Sequence, residues 1–372
     1  MRRRRAVGLI VIAGVVVAGV AALASRGGGS GEPAPDAAQG ATTPAAPTTT
    51  PTATAPDDSR PATGSGRPVT LALGDDVHFE PPIRQWLASS PSTVLAGVAP
   101  ALRAADIAMV NVETAVTSGG TPAQKNFVFR APAEAFGAIS AGGVDVVTMA
   151  NNHGMDYGEQ GLRDSIAASR RAGVPVVGIG LDETSAYAPR IFTVKGQRIA
   201  VIGATQVLDD NLIDAWTAGP GKPGLASAKR EDRLVQAVQE ARAKADTVVV
   251  YVHWGVELQD CPSERQTSLA RTLTAAGADV VVGSHAHVLL GGGRMGDALV
   301  DYGLGNFVFY ANREPTVRSG VLEVTVTGRR VDSYRWVPAR ISGGLPATLS
   351  GSSRVAAVQS WNALRPCTGL TR

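Results

Sequence analysis

The stretch from residue 247 to residue 287 constrains the fold of this chain more than any other. Residues 247–252 (TVVVYV) are almost wholly apolar and β-branched, the composition of a buried strand. The run ends in His253-Trp254-Gly255. Ser263 and Gln266 follow in the S-x-x-Q spacing of a capping box, which predicts a helix with Leu269, Ala270, Leu273 and Ala276 on one face. Gly277 is placed to stop that helix. A second apolar run, 278–282, leads into Gly283-Ser284-His285-Ala286-His287. Strand, helix and strand make a βαβ unit, whose right-handed crossover brings both strands to the same edge of a parallel sheet. Open α/β sheets hold ligands at that edge, and here it gathers His253, His285 and His287.

The chain has five histidines, and the other two follow the same rule. His78 comes after the apolar run 69–73 and His153 after 144–149, so no histidine is left for ordinary surface duty. Asp76, His78, Glu113, Asn152, His253, His285 and His287 offer carboxylate, amide and imidazole without thiolate. That donor set suits Mn, Fe or Zn at a reactive centre and not a cysteine-based structural zinc. Seven ligands exceed the need of one ion and fit two divalent transition-metal ions sharing a carboxylate. Other active-site patterns are missing: there is no GxxxxGK[ST] phosphate loop, and Ser284 stands in G-S-H instead of a G-x-S-x-G elbow.

The N-terminal sixth of the 372-residue chain reads differently. Four arginines (2–5) precede an uncharged apolar run at 6–24, long enough to cross a bilayer, and place the remainder outside. Residues 1–24 are read as a membrane anchor, with a cleaved signal peptide as the competing reading because Ala22-Leu23-Ala24 resembles a cleavage site. Residues 25–67 lack every large apolar side chain and form a Pro/Thr/Ala/Gly linker expected to be disordered. Residues 1–66 carry six of the 35 basic and four of the 32 acidic residues, which leaves 29 against 28 in the rest. That balance argues against nucleic acid as a partner. Cys261 and Cys367 are the only cysteines, and export permits one bridge between them.

Within the remainder, helices are expected at 132–141, 157–171 and 226–245, and a strand at 174–179. Hairpins are expected at 190–194 with 198–203, turning at Lys195-Gly196, and at 321–327 with 331–337. The domain is bounded at 68–340, with 341–372 a disulfide-tethered tail. The pattern is a two-sided α/β or α/β sandwich architecture. Lys125 and Arg130, two cations on one short segment, are candidates for holding substrate anions.

The ordered set GDDVHF (74–79), NVE (111–113), KNFVFR (125–130), NNHGMDYG (151–158), HWG (253–255), GADVVVGSHAHV (277–288) and YGLGNF (302–307) resembles the CapA/PgsA-type proteins of bacterial capsule and poly-γ-glutamate synthesis. That family in turn resembles the calcineurin-like metallophosphoesterases. The resemblance implies a β-sandwich of two mixed sheets flanked by helices, in four layers α/β/β/α. It implies that Asp76, His78 and His287 hold a first metal, His253 and His285 a second, with Glu113 bridging and Asn152 as a further ligand. Asp76 is preferred to Asp75 because only it gives the D-x-H spacing. His153 would serve the leaving group, with Asp76 and His153 as the catalytic pair. Many relatives of that superfamily carry an acid directly after their G-N-H element, whereas Gly154 stands here. The implied function is an extracytoplasmic phosphoesterase of capsule or envelope-polymer metabolism, using a metal-activated hydroxide on a phosphate ester. Its partners would be an anionic envelope polymer and membrane-bound capsule synthesis subunits. A dimetal amide or ester hydrolase, and a non-catalytic polymer synthesis or export subunit, are the alternatives.

Overall fold

The computed structural model describes residues 64–372. The expected membrane segment 1–24 and nearly all of the linker 25–67 lie outside the described residues. Among those described, no helix is long and apolar enough to cross a membrane.

The fold is mixed α/β, built on two large mixed sheets. The eight-stranded sheet runs Leu345–Thr348, Arg330–Ser342, Arg318–Thr327, Val69–Val77, Ile107–Val112, Val146–Thr148 and Val176–Val177, with Asn306–Val308 paired to the end of Val69–Val77. The six-stranded sheet runs Gly292–Met295, Ala298–Asp301, Val280–Ser284, Thr247–His253, Gln197–Thr205 and Arg190–Val194. In each sheet the central strands are parallel, and they therefore end together on one edge.

Period-two alternation divides the side chains between cores. Leu71, Leu73 and Met109 of the first sheet share one buried cluster with Val249, Tyr251 and Val282 of the second. The alternate residues Val248, Val250 and Val252 pack with Leu234, Val238, Leu269 and Leu273 of the helices Glu231–Arg242 and Glu264–Ala276. Ala108 and Val110 do the same with Phe136, Ile139 and Leu162. Between the two sheets at Gly203 there is no room for a side chain: a Cβ there would stand 2.3 Å from Thr148 Oγ1.

The expected βαβ unit is present with its predicted ends. Ser263 and Gln266 form the reciprocal capping box of Glu264–Ala276, and Gly277 ends that helix at φ 116°. Thr247–His253 and Val280–Ser284 pair in parallel, with His253 opposite Ser284. The hairpin turn falls at Lys195-Gly196 with both residues at positive φ. Two elements differ from expectation. The strand expected at 174–179 is broken at Gly178 (φ 82°) into Val176–Val177 and Ile179–Gly180. The helix expected from 226 starts only at Glu231, because Ala226 and Ala228 are drawn into backbone hydrogen bonds with Gly178 and Thr205.

Residues 341–372 are more than a tethered tail. The disulfide Cys261–Cys367 is present, with Cα atoms 5.7 Å apart. In addition Leu345–Thr348 adds a strand to the larger sheet, and the helix Gly351–Asn362 buries Trp361 in a parallel stack on Trp336, centroids 5.8 Å apart. Thr371 exchanges backbone hydrogen bonds with Arg294 of the smaller sheet. A single large aromatic anchor supplies what apolar periodicity did not.

Candidate metal centre

Five strand ends build the site. Val69–Val77 carries Asp76 just after a register irregularity between Leu73 and Asp76. Ile107–Val112 ends one residue before Glu113, and Val146–Thr148 leads into Asn151, Asn152 and His153. Thr247–His253 ends in His253, and Val280–Ser284 runs into His285 and His287. His285 (φ 89°) and His287 (φ 57°) both adopt the left-handed backbone region. Such conformations cost on the order of 1–3 kcal/mol each and persist where surrounding structure demands them. Gly283 supports the turn, since a Cβ there would meet Trp254 Nε1 at 2.1 Å and the Tyr302 carbonyl at 2.2 Å.

Two groups of donor atoms converge within 4.8 Å: Asp76, Glu113 and His253, and Glu113, His285 and His287. Glu113 belongs to both. Its carboxylate is fully buried, and neither oxygen has a hydrogen-bond partner. The Nε2 of His253 stands 3.4 Å from its Oε1. Asp76 is better supported: Asn111 donates to its Oδ1 at 2.7 Å, and the backbone N–H of His285 to its Oδ2 at 3.2 Å. His287 Nδ1 lies 3.4 Å from Asp76 Oδ2 and 2.9 Å from Asn306 Oδ1. His253 is oriented by Ser284 Oγ at Nδ1 (2.8 Å) and by Asn152 Oδ1 at Nε2 (2.7 Å).

The electrostatics point the same way. Burial and then Asp76 push the Glu113 carboxyl well above the usual range. Burial and Asp76 likewise raise Asp75, whose carboxylate oxygens also lack hydrogen-bond partners. Burial opposes charge on Asp76 too, but His287 and His253 hold that carboxyl well below its ordinary value. Burial drives His253 down to about 4, whereas Glu113 and Asp76 overcome burial at His287 and lift it to about 9. Crowded carboxylates, two of them with orphaned oxygens, beside converging imidazoles are a donor set that a divalent cation fits. The orphaned His285 Nδ1 belongs to the same pocket.

His153 stands beside this cluster in a different setting. Its Nδ1 lies 2.6 Å from Asp156 Oδ2, which also accepts from the Phe129 backbone N–H at 2.6 Å. Its ring stacks on Phe129, centroids 4.0 Å apart. Burial lowers its pKa, and the Asp156 hydrogen bond partly offsets that. An acid three residues along the turn, Asp156, thus stands against His153, whereas position 154 is Gly. The signal for it was present in the NNHGMDYG run.

Several expected site residues are placed elsewhere. His78 is packed among Phe129, Phe309 and Tyr310, and both ring nitrogens lie at hydrogen-bond distance from backbone N–H groups, of Glu80 (3.0 Å) and Tyr310 (3.2 Å). It belongs to neither converging group. Lys125 turns inward, its side chain 6% exposed, with Nζ 3.0 Å from Asp156 Oδ1 and donating to the Asn152 carbonyl. Arg130 lies over the Tyr157 ring, 4.9 Å from its centroid. Sequence reasoning passed over Asn111, Asn151, Ser284 and Asn306, which hold the ligands in place. Asn151 donates to Asn111 Oδ1 at 2.9 Å, so Asn151, Asn111 and Asp76 form one chain.

Fold and site together define a class: a mixed α/β protein with a buried carboxylate–histidine cluster at the carboxyl ends of its parallel strands. Within that class the chain belongs to the bacterial capsule synthesis protein PGA_cap family, whose model matches residues 70–311. It is 31% identical over 259 residues to the "PGA biosynthesis protein CapA" of Bacillus subtilis (strain 168), covering 69% of this chain and 67% of that one. It is 32% identical over 234 residues to the "Capsule biosynthesis protein CapA" of Bacillus anthracis, covering 62% and 56%. The chain thus spans between about half and two thirds of those relatives' own lengths. The 5'-nucleotidase of Candida albicans SC5314 is similar in structure with a TM-score of 0.43 at 11% identity, covering 79% of this chain and 56% of that one.

Proposed function

We propose that this protein is a metal-dependent phosphoesterase acting in capsule, poly-γ-glutamate or other envelope-polymer metabolism, tethered outside the cytoplasm. The observation that carries this reading is Glu113: a fully buried carboxylate without a hydrogen bond, shared by two groups of converging ligands. Asp76, Glu113, Asn152, His253, His285 and His287 would hold two divalent ions. Bound ions would polarise a phosphoryl oxygen and lower the pKa of a water. His153 holds a proton for the leaving oxygen at Nε2, while Asp156 fixes the ring through Nδ1 and favours its charged form. Asn111 and Asn306 keep Asp76 and His287 in position.

In this reading the sheets and helices form the four layers α/β/β/α of the metallophosphoesterase type. Residues 1–24 would be the membrane anchor or, in the competing reading, a signal peptide, and the Cys261–Cys367 bridge accords with an oxidising compartment. The polymer pathway is read from the family and from the relatives' names.

The test is elemental analysis of the purified full-length protein, followed by phosphomono- and diesterase assays after chelation and after reloading with Mn, Fe or Zn. About two ions per chain and activity restored by reloading are expected. Absence of metal uptake would overturn the reading. Polymer binding that survives chelation, without turnover, would favour a non-catalytic subunit.

A further inference from the structure

A cleft of about 370 Å³ opens over His153 and His287, and its walls are aromatic. Phe127, Phe129, Phe309 and Tyr310 line it. Phe127 is 64% exposed, Tyr310 39% and Leu258, on the same cleft, 56%. Exposed large apolar residues are ordinary when scattered, but here three share one mouth. Deeper in the cleft, Phe129 is stacked on His153 and Phe309 packs at 4.9 Å from Tyr310.

The charges around the cleft are sparse. Apart from its histidines, only Glu257 and Arg313 among the lining residues carry an acidic or basic side chain. The Arg313 guanidinium makes no ion pair among the described residues, while its backbone carbonyl anchors the loop by accepting from Thr316 Oγ1 (2.7 Å) and the Val317 N–H (3.2 Å). The neighbouring cations are engaged elsewhere. Lys125 is paired with Asp156, Arg84 with Glu80, and Arg318 and Arg340 share Glu314. A polyanion in extended contact needs a row of free cations, and among the described residues this mouth offers one.

Building on the phosphoesterase reading above, we infer that the ester taken by this cleft carries a flat or apolar group beside the scissile phosphate, seated against Phe127 and Tyr310. One further negative group on it is held by Arg313. A bare polyanionic strand is not the ligand of this mouth. Rings stacked on aromatic side chains gain affinity without needing charge, and a lone arginine can fix one carboxylate or phosphate in a forked geometry.

The experiment is calorimetric titration of the full-length, Mn(II)-loaded protein with phosphonates, which bind like phosphate esters but are not hydrolysed. Phenylphosphonate is expected to bind about tenfold more tightly than methylphosphonate, and Phe127→Ala to remove most of that preference. 4-Carboxyphenylphosphonate is expected to gain a further several-fold, which Arg313→Ala abolishes while leaving phenylphosphonate unchanged. Both substituted side chains are exposed, so the variants are expected to keep the wild-type melting temperature. Phosphonates that bind with no ring preference, or variants that change nothing, would overturn this inference and leave the phosphoesterase reading standing. Failure of every phosphonate to bind protein shown by elemental analysis to hold metal would overturn both. A γ-glutamyl oligomer that displaces phenylphosphonate at equal or lower concentration would also refute the inference.

Discussion

Glu113, directly after the strand Ile107–Val112, and Asp156, in the turn before the helix Gly158–Ala172, are both buried acids, yet their surroundings are opposite. Asp156 has His153 at 2.6 Å, Lys125 at 3.0 Å and the Phe129 backbone N–H at 2.6 Å. Glu113 has no hydrogen bond and shares its space with Asp76 and three imidazoles. A buried polar group left unpaired costs free energy, of the order of 1–3 kcal/mol for a neutral group and more for a charged one. The difference teaches how to read a buried acid. The paired one fixes the geometry of its neighbours, and the unpaired one marks where something outside the chain belongs.

The largest effect that tests this contrast is at Glu113. Glu113→Gln should abolish uptake of at least one ion and all activity, yet the metal-free variant should melt no lower than the metal-free wild type, because a buried carboxylate is gone. Elemental analysis and calorimetry on the same samples check both halves. If the metal-free variant melts clearly lower, Glu113 is paired in solution and the contrast fails.

Asp156→Asn should act differently. Metal content should be retained, while kcat falls about 10²-fold, because His153 loses the group that fixes its tautomer and supports its charge. Loss of metal in this variant would mean that the two acids form one unit.

A third buried acid separates being unpaired from being a ligand. Asp301 is fully buried, its Oδ2 has no hydrogen-bond partner, and burial lifts its carboxyl to about 7. A carboxyl whose folded pKa is raised costs stability increasingly as pH climbs from its unfolded value towards the folded one. Asp301→Asn should therefore stabilise the fold more at pH 8 than at pH 4, by up to ~4 kcal/mol, read from calorimetric unfolding at the two pH values. Metal content and activity should not change. Unchanged metal content would show that an unpaired carboxylate oxygen does not by itself mark an ion site, whereas metal loss would place Asp301 among the ligands.

The smallest effect is expected at Lys125. Lys125→Met leaves Asp156 with His153 and the Phe129 N–H, so kcat should fall only a few-fold and KM should hold. A large rise in KM would return Lys125 to the substrate side and weaken the charge argument made for the cleft.

Much of the site was legible in the chain. The capping box at Ser263 and Gln266, the stop at Gly277 and the two apolar runs dictate a βαβ unit through local chemistry alone, and that unit delivers His253, His285 and His287 to one edge. The placement of every histidine after an apolar run was likewise a linear pattern. Residues whose roles depend on side-chain direction were not legible. Lys125 and Arg130 sit five positions apart on one loop, and nothing local says that one turns in to Asp156 and the other out over Tyr157.

By itself, then, the sequence determined the central βαβ unit with its ends and the hairpin turn at Lys195-Gly196, because strand alternation, helix caps and glycine stops are short-range effects. The tertiary structure alone decided which acids are paired and which are not. It set Asp76, held by Asn111, against Glu113, which no hydrogen bond holds. It placed His78 among aromatic rings, and it carried the C-terminal helix onto Trp336. Those outcomes depend on burial and on contacts between residues far apart in the chain. The cost of an unpaired charge is not fixed until the low-dielectric interior has closed around it.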